Sequence, residues 1–117
     1  AARNTLRHCD FAHLLEFCGA YFQPGPRTGA LVLALELVEA GSLSDVVKGR
    51  GQMPEEWAQV VTGQMARALA MVHCLGMIHR DVKPDNILMR DTGTAPCAVL
   101  ADFGLAAMVD EPAASAK

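Results

Sequence analysis

The chain has 117 residues, of which 51% are hydrophobic and 20% charged, and thirteen acids against ten bases leave a formal net charge of −3. So much apolar content with so few charges excludes a disordered chain, and the acidic balance argues against a nucleic-acid binder, which would carry a basic face. The uncharged stretch Ala68–His79 has twelve residues, short of the ~20 apolar residues of a membrane-spanning helix.

No apolar region follows Ala1-Ala2-Arg3-Asn4 to make a signal peptide. Cys9, Cys18, Cys74 and Cys97 form no C-x-x-C pair. They are expected to be reduced, mostly buried thiols of an intracellular, cytoplasmic protein. Aromatic residues make up only 5%, so the core must be built from Ala, Leu, Val and Met.

Leu14–Phe22 reads as a short strand with weak alternation. Two prolines and two glycines make Gln23–Gly29 a loop. The apolar run Ala30–Val38, interrupted only by Glu36, is expected to be a buried strand, although pattern alone leaves a helix open. Gly41-Ser42 supplies a break and an N-cap for a short helix, Leu43–Lys48, ended by Gly49-Arg50-Gly51.

The long helix is expected from Pro54 to about Leu75. Proline suits its first turn, and Glu55 and Glu56 favour the positive end of its dipole. Trp57, Val61, Met65, Leu69 and Val72 mark one face, and Gly76 is placed for a left-handed cap. Met77-Ile78 and Ile87-Leu88-Met89 flank a polar loop, and Ala98-Val99-Leu100 leads to Asp102-Phe103-Gly104. The end, from Pro112 to Lys117, has no pattern and is expected to fray.

The polar loop His79-Arg80-Asp81-Val82-Lys83-Pro84-Asp85-Asn86 places acids, bases and an amide between two apolar pieces too short for helices. A carboxylate held there suits general-base work, and Asn86 with a second carboxylate suits a hard, oxygen-loving cation such as Mg²⁺. Asp102 follows directly after a strand-like run, with an apolar anchor and a flexible joint behind it. Two carboxylates, an amide and a lysine at strand ends would make a phosphate-and-metal site.

These residues resemble the middle of a eukaryotic-type protein kinase catalytic domain of the serine/threonine class. His79-Arg80-Asp81 with Lys83-Pro84 and Asn86 matches the catalytic-loop signature, and Asp102-Phe103-Gly104 the metal-binding one, in the same order. The six-position match alone arises by chance on the order of once in a million chains of this length. The likeness extends further. Leu6-Arg7-His8 with Leu14-Leu15 looks like the turn after the regulatory helix and the strand that follows it. Leu33–Leu43 is similar to the last small-lobe strand and the inter-lobe hinge.

The resemblance implies a bilobal α+β fold, truncated. Residues 1–38 would be the small-lobe remnant, 39–41 the hinge exit, and 42–117 the start of the large lobe through the beginning of the activation segment. It implies ATP and Mg²⁺ as cofactors and a protein substrate with a Ser or Thr acceptor. Asp81 corresponds to the base taking the substrate hydroxyl proton, Lys83 to the lysine on the γ-phosphate, and Asn86 and Asp102 to the Mg²⁺ ligands. Arg80 corresponds to the arginine that docks a phosphorylated activation loop, and Ser115 lies where such phosphosites occur. Backbone groups of Glu36 and Val38 would hold adenine, with Leu35 as gatekeeper and Leu88 under the ring.

His79 is read as structural, positioning the D-F-G segment, and His8, His13 and His73 as core or surface residues rather than ligands. The scattered Cys and His lack the spacing of a zinc site. No glycine-rich G-x-G-x-x-G loop, V-A-I-K-type lysine or A-P-E occurs in these residues, so the isolated chain is expected to be inactive. The alternatives are a non-catalytic kinase-like regulator that binds nucleotide or a partner, and a non-functional gene fragment.

Overall fold

The computed structural model describes residues 11–90 and 95–109. Leu6-Arg7-His8, Cys9, Ser115 and the tail from Pro112 lie outside the described residues.

The first two strands, β1 (Phe17–Gln23) and β2 (Ala30–Leu35), pair antiparallel around the Pro/Gly loop, with Tyr21 opposite Val32 and Gln23 opposite Ala30. The register shifts between Phe17 and Gly19, so Cys18 is the extra residue of a bulge. The expectation of a buried strand over Ala30–Val38 is corrected here. Leu31, Leu33 and Leu35 are 70%, 56% and 52% exposed, because no described element packs over this pair. The strand also stops short of Val38: after the Glu36 N–H donates to the Glu16 carbonyl at 2.9 Å the chain leaves the ladder. Leu14 and Leu15 precede β1 and serve another sheet. The Leu15 N–H donates to Leu100 at 3.0 Å, and the Leu100 N–H donates to His13 at 2.8 Å.

Helix α1 (Leu43–Arg50) begins at the expected cap. The Ser42 hydroxyl accepts from the Asp45 N–H at 3.2 Å while the Asp45 carboxylate accepts from the Ser42 N–H at 2.9 Å, a reciprocal box that satisfies two orphan donors. The Ser42 amide and then its hydroxyl hold the Asp45 carboxyl below its usual value. Gly41 suits the approach doubly. Its φ is +87°, and a Cβ there would come within 2.9 Å of the Asp45 carboxylate.

Helix α2 (Glu55–Cys74) has Pro54 as its N-cap and ends at Leu75, with Gly76 left-handed at φ 77° as its position predicted. Its buried residues are Val61, Met65, Ala68, Met71 and Val72, whereas Trp57 and Leu69 are only half-buried. Steps of four residues advance about 40° around a 3.6-residue helix, so the face drifts and Ala68 replaces Leu69 on it. Trp57 instead lies under the Arg50 guanidinium, 4.9 Å from its ring centroid, tying α1 to α2.

The α2 face packs on an antiparallel pair, β4 (Ile87–Arg90) and β5 (Cys97–Leu100), with Leu88 opposite Val99. Val61, Met65 and Ala68 meet Ile87, Met89, Ala98 and Leu100 in one core; each large side chain buried there contributes about 1.5–3 kcal/mol. Gln64 fixes the contact, donating to the Pro96 carbonyl at 2.9 Å and accepting from the Ala98 N–H at 2.7 Å.

Between helix and sheet, β3 (Met77–Ile78) pairs with β6 (Ala107–Met108), a strand too short to show a period in the sequence. Among the described residues no helix is long and apolar enough to cross a membrane. The expectation of mostly buried thiols is also corrected: Cys18 and Cys74 are exposed and Cys97 partly so, and none of the three is in a disulfide.

Candidate active site

The loop after β3 is built outward from one buried ring. His79 is 1% exposed. Its Nδ1 accepts the Asp81 N–H at 3.1 Å, which leaves Nε2 as the protonated atom that donates to the Ala101 carbonyl at 2.8 Å. The ring also meets Phe103 edge-on with centroids 4.9 Å apart. His79 therefore supports the D-F-G segment, as its structural reading anticipated. His13 Nδ1 likewise lies 2.8 Å from the Ala98 carbonyl, a packing role, and His73 is exposed.

Arg80 and Asp102 are the described non-glycine residues with left-handed backbones, at φ 70° and 57°. Such conformations cost of order 1–3 kcal/mol and persist where surroundings over-determine them. For Arg80 the holding contact is Nε to the Leu105 carbonyl; for Asp102 it is the Gly104 N–H on Oδ1 at 3.2 Å.

Asp81, Lys83 and Asn86 come together. The Asn86 amide nitrogen donates to both the Asp81 carbonyl at 2.8 Å and the Asp81 carboxylate at 2.9 Å. Lys83 Nζ lies 3.7 Å from the other carboxylate oxygen, in an ion pair whose acid side chain is 25% exposed. A 3₁₀ turn over Pro84–Asn86 shapes this loop, closed by the Asn86 N–H on the Lys83 carbonyl at 2.9 Å. Asn86 is buried, and because both of its bonds engage the amide nitrogen, its side-chain oxygen is left as the acceptor.

Asp102 reaches this cluster through the backbone. The Ala101 N–H donates to the Asn86 carbonyl at 2.9 Å, so the start of β4 and the end of β5 bring the backbones at Asn86 and at Ala101, next to Asp102, together. Among the described residues the Asp102 carboxylate bonds only within its own turn. Two oxygen donors from adjacent strand ends suit a hard cation completed by phosphate oxygens and water, the preference of Mg²⁺.

The hinge candidates lie apart from the loop but against the same strand. Leu35 ends β2 exposed, while Val38 and Leu88 are half-buried. Ser42 bridges to Leu88, and the Met89 N–H donates to the Gly41 carbonyl at 2.8 Å. Glu36 does more than its backbone suggested. Its carboxylate takes Arg90 Nε at 2.8 Å and Nη2 at 2.7 Å, and also the Glu16 N–H at 3.1 Å. Partial burial raises this carboxyl, but the Glu16 amide and the Arg90 guanidinium outweigh it and hold it below its usual value. Burial likewise disfavours the Arg90 charge, and Glu36 with the neighbouring Cys97 reverses that, raising it. Arg90 was not legible as a functional residue: it ends an otherwise apolar strand and its partner lies 54 residues away.

A family model described as "Protein kinase domain" matches residues 3–116. The chain belongs to the protein kinase family. This kinase segment is 44% identical over 75 residues to the serine/threonine-protein kinase ppk18 of Schizosaccharomyces pombe, covering 64% of the segment and 6% of that protein. It is 34% identical over 107 residues to cell division control protein 7 of the same yeast, covering 92% and 9%. It is 35% identical over 103 residues to the dual specificity mitogen-activated protein kinase kinase 1 of Dictyostelium discoideum, covering 87% and 14%. The segment thus spans only a small part of the length of the curated relatives it matches. Its mixed strands and helices agree with a truncated bilobal kinase fold.

Proposed function

We propose that the protein bearing this segment transfers the γ-phosphoryl group of ATP to a Ser or Thr hydroxyl of a protein substrate. The observation that carries the reading is the Asp81 carboxylate, partly exposed, steadied by Asn86 and paired with Lys83. In this reading residues 1–38 are the remnant of the small lobe, 39–41 the hinge exit and 42–117 the start of the large lobe.

Asp81 acts as the general base. One carboxylate oxygen is held by Asn86, and the other faces Lys83, with the side chain partly exposed to solvent. Asp81 receives the hydroxyl proton as the substrate oxygen bonds to the γ-phosphorus, and the bond from that phosphorus to the departing ADP oxygen breaks. Lys83 sits close enough to share its charge between Asp81 and a phosphate oxygen, orienting base and phosphoryl group together. Mg²⁺, held by the Asn86 side-chain oxygen and the Asp102 carboxylate, supplies neutralisation of phosphate charge when bound.

Glu36 and Val38 offer backbone groups to adenine, Leu35 closes the back of the pocket and Leu88 lies under the ring. The cytoplasm, with its ATP and reducing conditions, is the compartment this reading favours. Phosphotransfer to peptide libraries with Ser, Thr or Tyr acceptors tests it, using the protein expressed with the flanks its transcript encodes. Transfer to Ser and Thr that falls at least ~100-fold in Asp81→Asn supports the reading; transfer indifferent to Asp81 refutes it. The isolated 117 residues, without a glycine-rich loop or its lysine, are expected to show no turnover.

A further inference from the structure

The segment joining β2 to α1 is fastened at both ends to consecutive residues of one strand. At its entry the Glu36 carboxylate is gripped by the fork of Arg90, and at its exit the Gly41 carbonyl accepts the Met89 N–H at 2.8 Å. Only Leu37–Ala40 span the interval between these fasteners. A cavity of about 360 Å³ lies there, lined by Glu36, Leu37, Val38, Glu39, Ala40 and Arg90.

Arg90 has a third bond. Its Nη1 donates to the Ala12 carbonyl at 2.8 Å, so one guanidinium joins the chain before β1, the start of the hinge and the strand that carries Leu88. Arg90 and Leu88 are two residues apart on β4 and so share a face. A planar fork with three fixed donors locks geometry in a way a flexible ammonium does not. The Glu36 N–H and carboxylate are both committed, to Glu16 and to Arg90 with Glu16, which fixes the backbone of Glu36 before any ligand arrives.

We propose that Arg90 is a positioning residue for nucleotide binding: it presets the 36–41 backbone in the shape that receives adenine. This rests on the assignment of Glu36 and Val38 to adenine made above. Arg90 touches neither nucleotide nor acceptor; it acts through Glu36. Its loss lowers the fraction of molecules in the competent shape, and apparent affinity falls by that fraction.

The test uses the natively flanked protein with Arg90→Met, Arg90→Lys and Glu36→Gln, and three measurements: the Kd for MgADP, hydrogen exchange at amides 37–40 without ligand, and kcat at saturating ATP. The expected result is an MgADP Kd raised about tenfold in Arg90→Met, faster exchange at 37–40, and kcat within about twofold of the parent. Arg90→Lys falls in between, since it keeps charge but loses the fork. Glu36→Gln keeps an oxygen for the Glu16 N–H but loses the charge that pairs with Arg90; read by MgADP Kd and exchange at 37–40 alone, it shows the same two shifts should Arg90→Met fail to fold. Equal MgADP affinity in parent and variants, or a loss of kcat and folding with Kd unchanged, overturns the proposal and leaves Arg90 a packing residue. A parent that binds MgADP with this variant pattern but transfers no phosphate upholds the role of Arg90 and refutes the kinase reading. A parent that binds no MgADP refutes both.

Discussion

The His79 imidazole donates from Nε2 to the carbonyl oxygen of Ala101 at 2.8 Å, joining residues 22 apart in sequence inside a fully buried environment. The same ring accepts the Asp81 N–H, so one side chain sets the backbone beside the proposed base and beside the proposed metal ligand. His79→Phe keeps the ring volume but strands the Ala101 carbonyl and the Asp81 N–H. The expected cost is about 1–3 kcal/mol of stability, read from the denaturant midpoint, together with faster hydrogen exchange over residues 101–104.

Asp102 carries a charge that Asn86 cannot replace. Asp102→Asn retains an oxygen to accept the Gly104 N–H, so the turn should survive. The expected outcome is a loss of kcat by roughly 10²–10³ and a higher Mg²⁺ requirement, measured by titrating Mg²⁺ in a phosphotransfer assay. An unchanged Mg²⁺ dependence would remove Asp102 from the metal site.

Glu36 makes the hinge sensitive to acid. Its folded carboxyl titrates below the usual value of 4.5, so its contribution to stability is fully present above that value. The contribution is lost as pH falls through the lower folded value, when the proton displaces the Arg90 fork. The Glu36 side chain is partly buried but the pair lies near the surface, where solvent screens it, so the effect is modest. Stability curves of the parent and Glu36→Gln should stay separated above the usual carboxyl value and converge as pH falls below it, through the lower folded value.

Gly63 sits within α2, and a Cβ added there meets nothing within 4 Å. Gly63→Ala should therefore stabilise the helix by about 0.5–1 kcal/mol, raising the urea midpoint without altering its slope. A lowered midpoint would show that α2 is covered at Gly63 in the native protein.

Local signals in the sequence carried the elements well, and the reasons are physical. Ser42, Gly76 and Pro54 mark helix ends because caps and left-handed turns have strict chemical demands. The catalytic loop and Asp102-Phe103-Gly104 are legible because their residue types and spacing are jointly rare. Burial was the weaker inference. The apolar run of β2 states what that strand is suited to bury, while its exposure depends on what packs there, and the half-exposure of Leu69 follows from helical drift that a four-residue count ignores. The pairing of Glu36 with Arg90 is a long-range contact between two ordinary charged residues; nothing near either one announces it. The strain at Arg80 is equally silent, since arginine gives no sign of a left-handed backbone.

The β1–β2 hairpin meets the rest of the molecule along two lines of force. One runs from His13 and Leu15 into Leu100, two residues ahead of Asp102. The other runs from Glu36 and Gly41 into Arg90 and Met89, a few residues past Asn86. A tug on the hairpin is therefore delivered at once to the two strands whose ends carry the candidate metal donors. The bonds that anchor that small, exposed ribbon are thus made on the two strands that flank Asn86 and Asp102 in the chain.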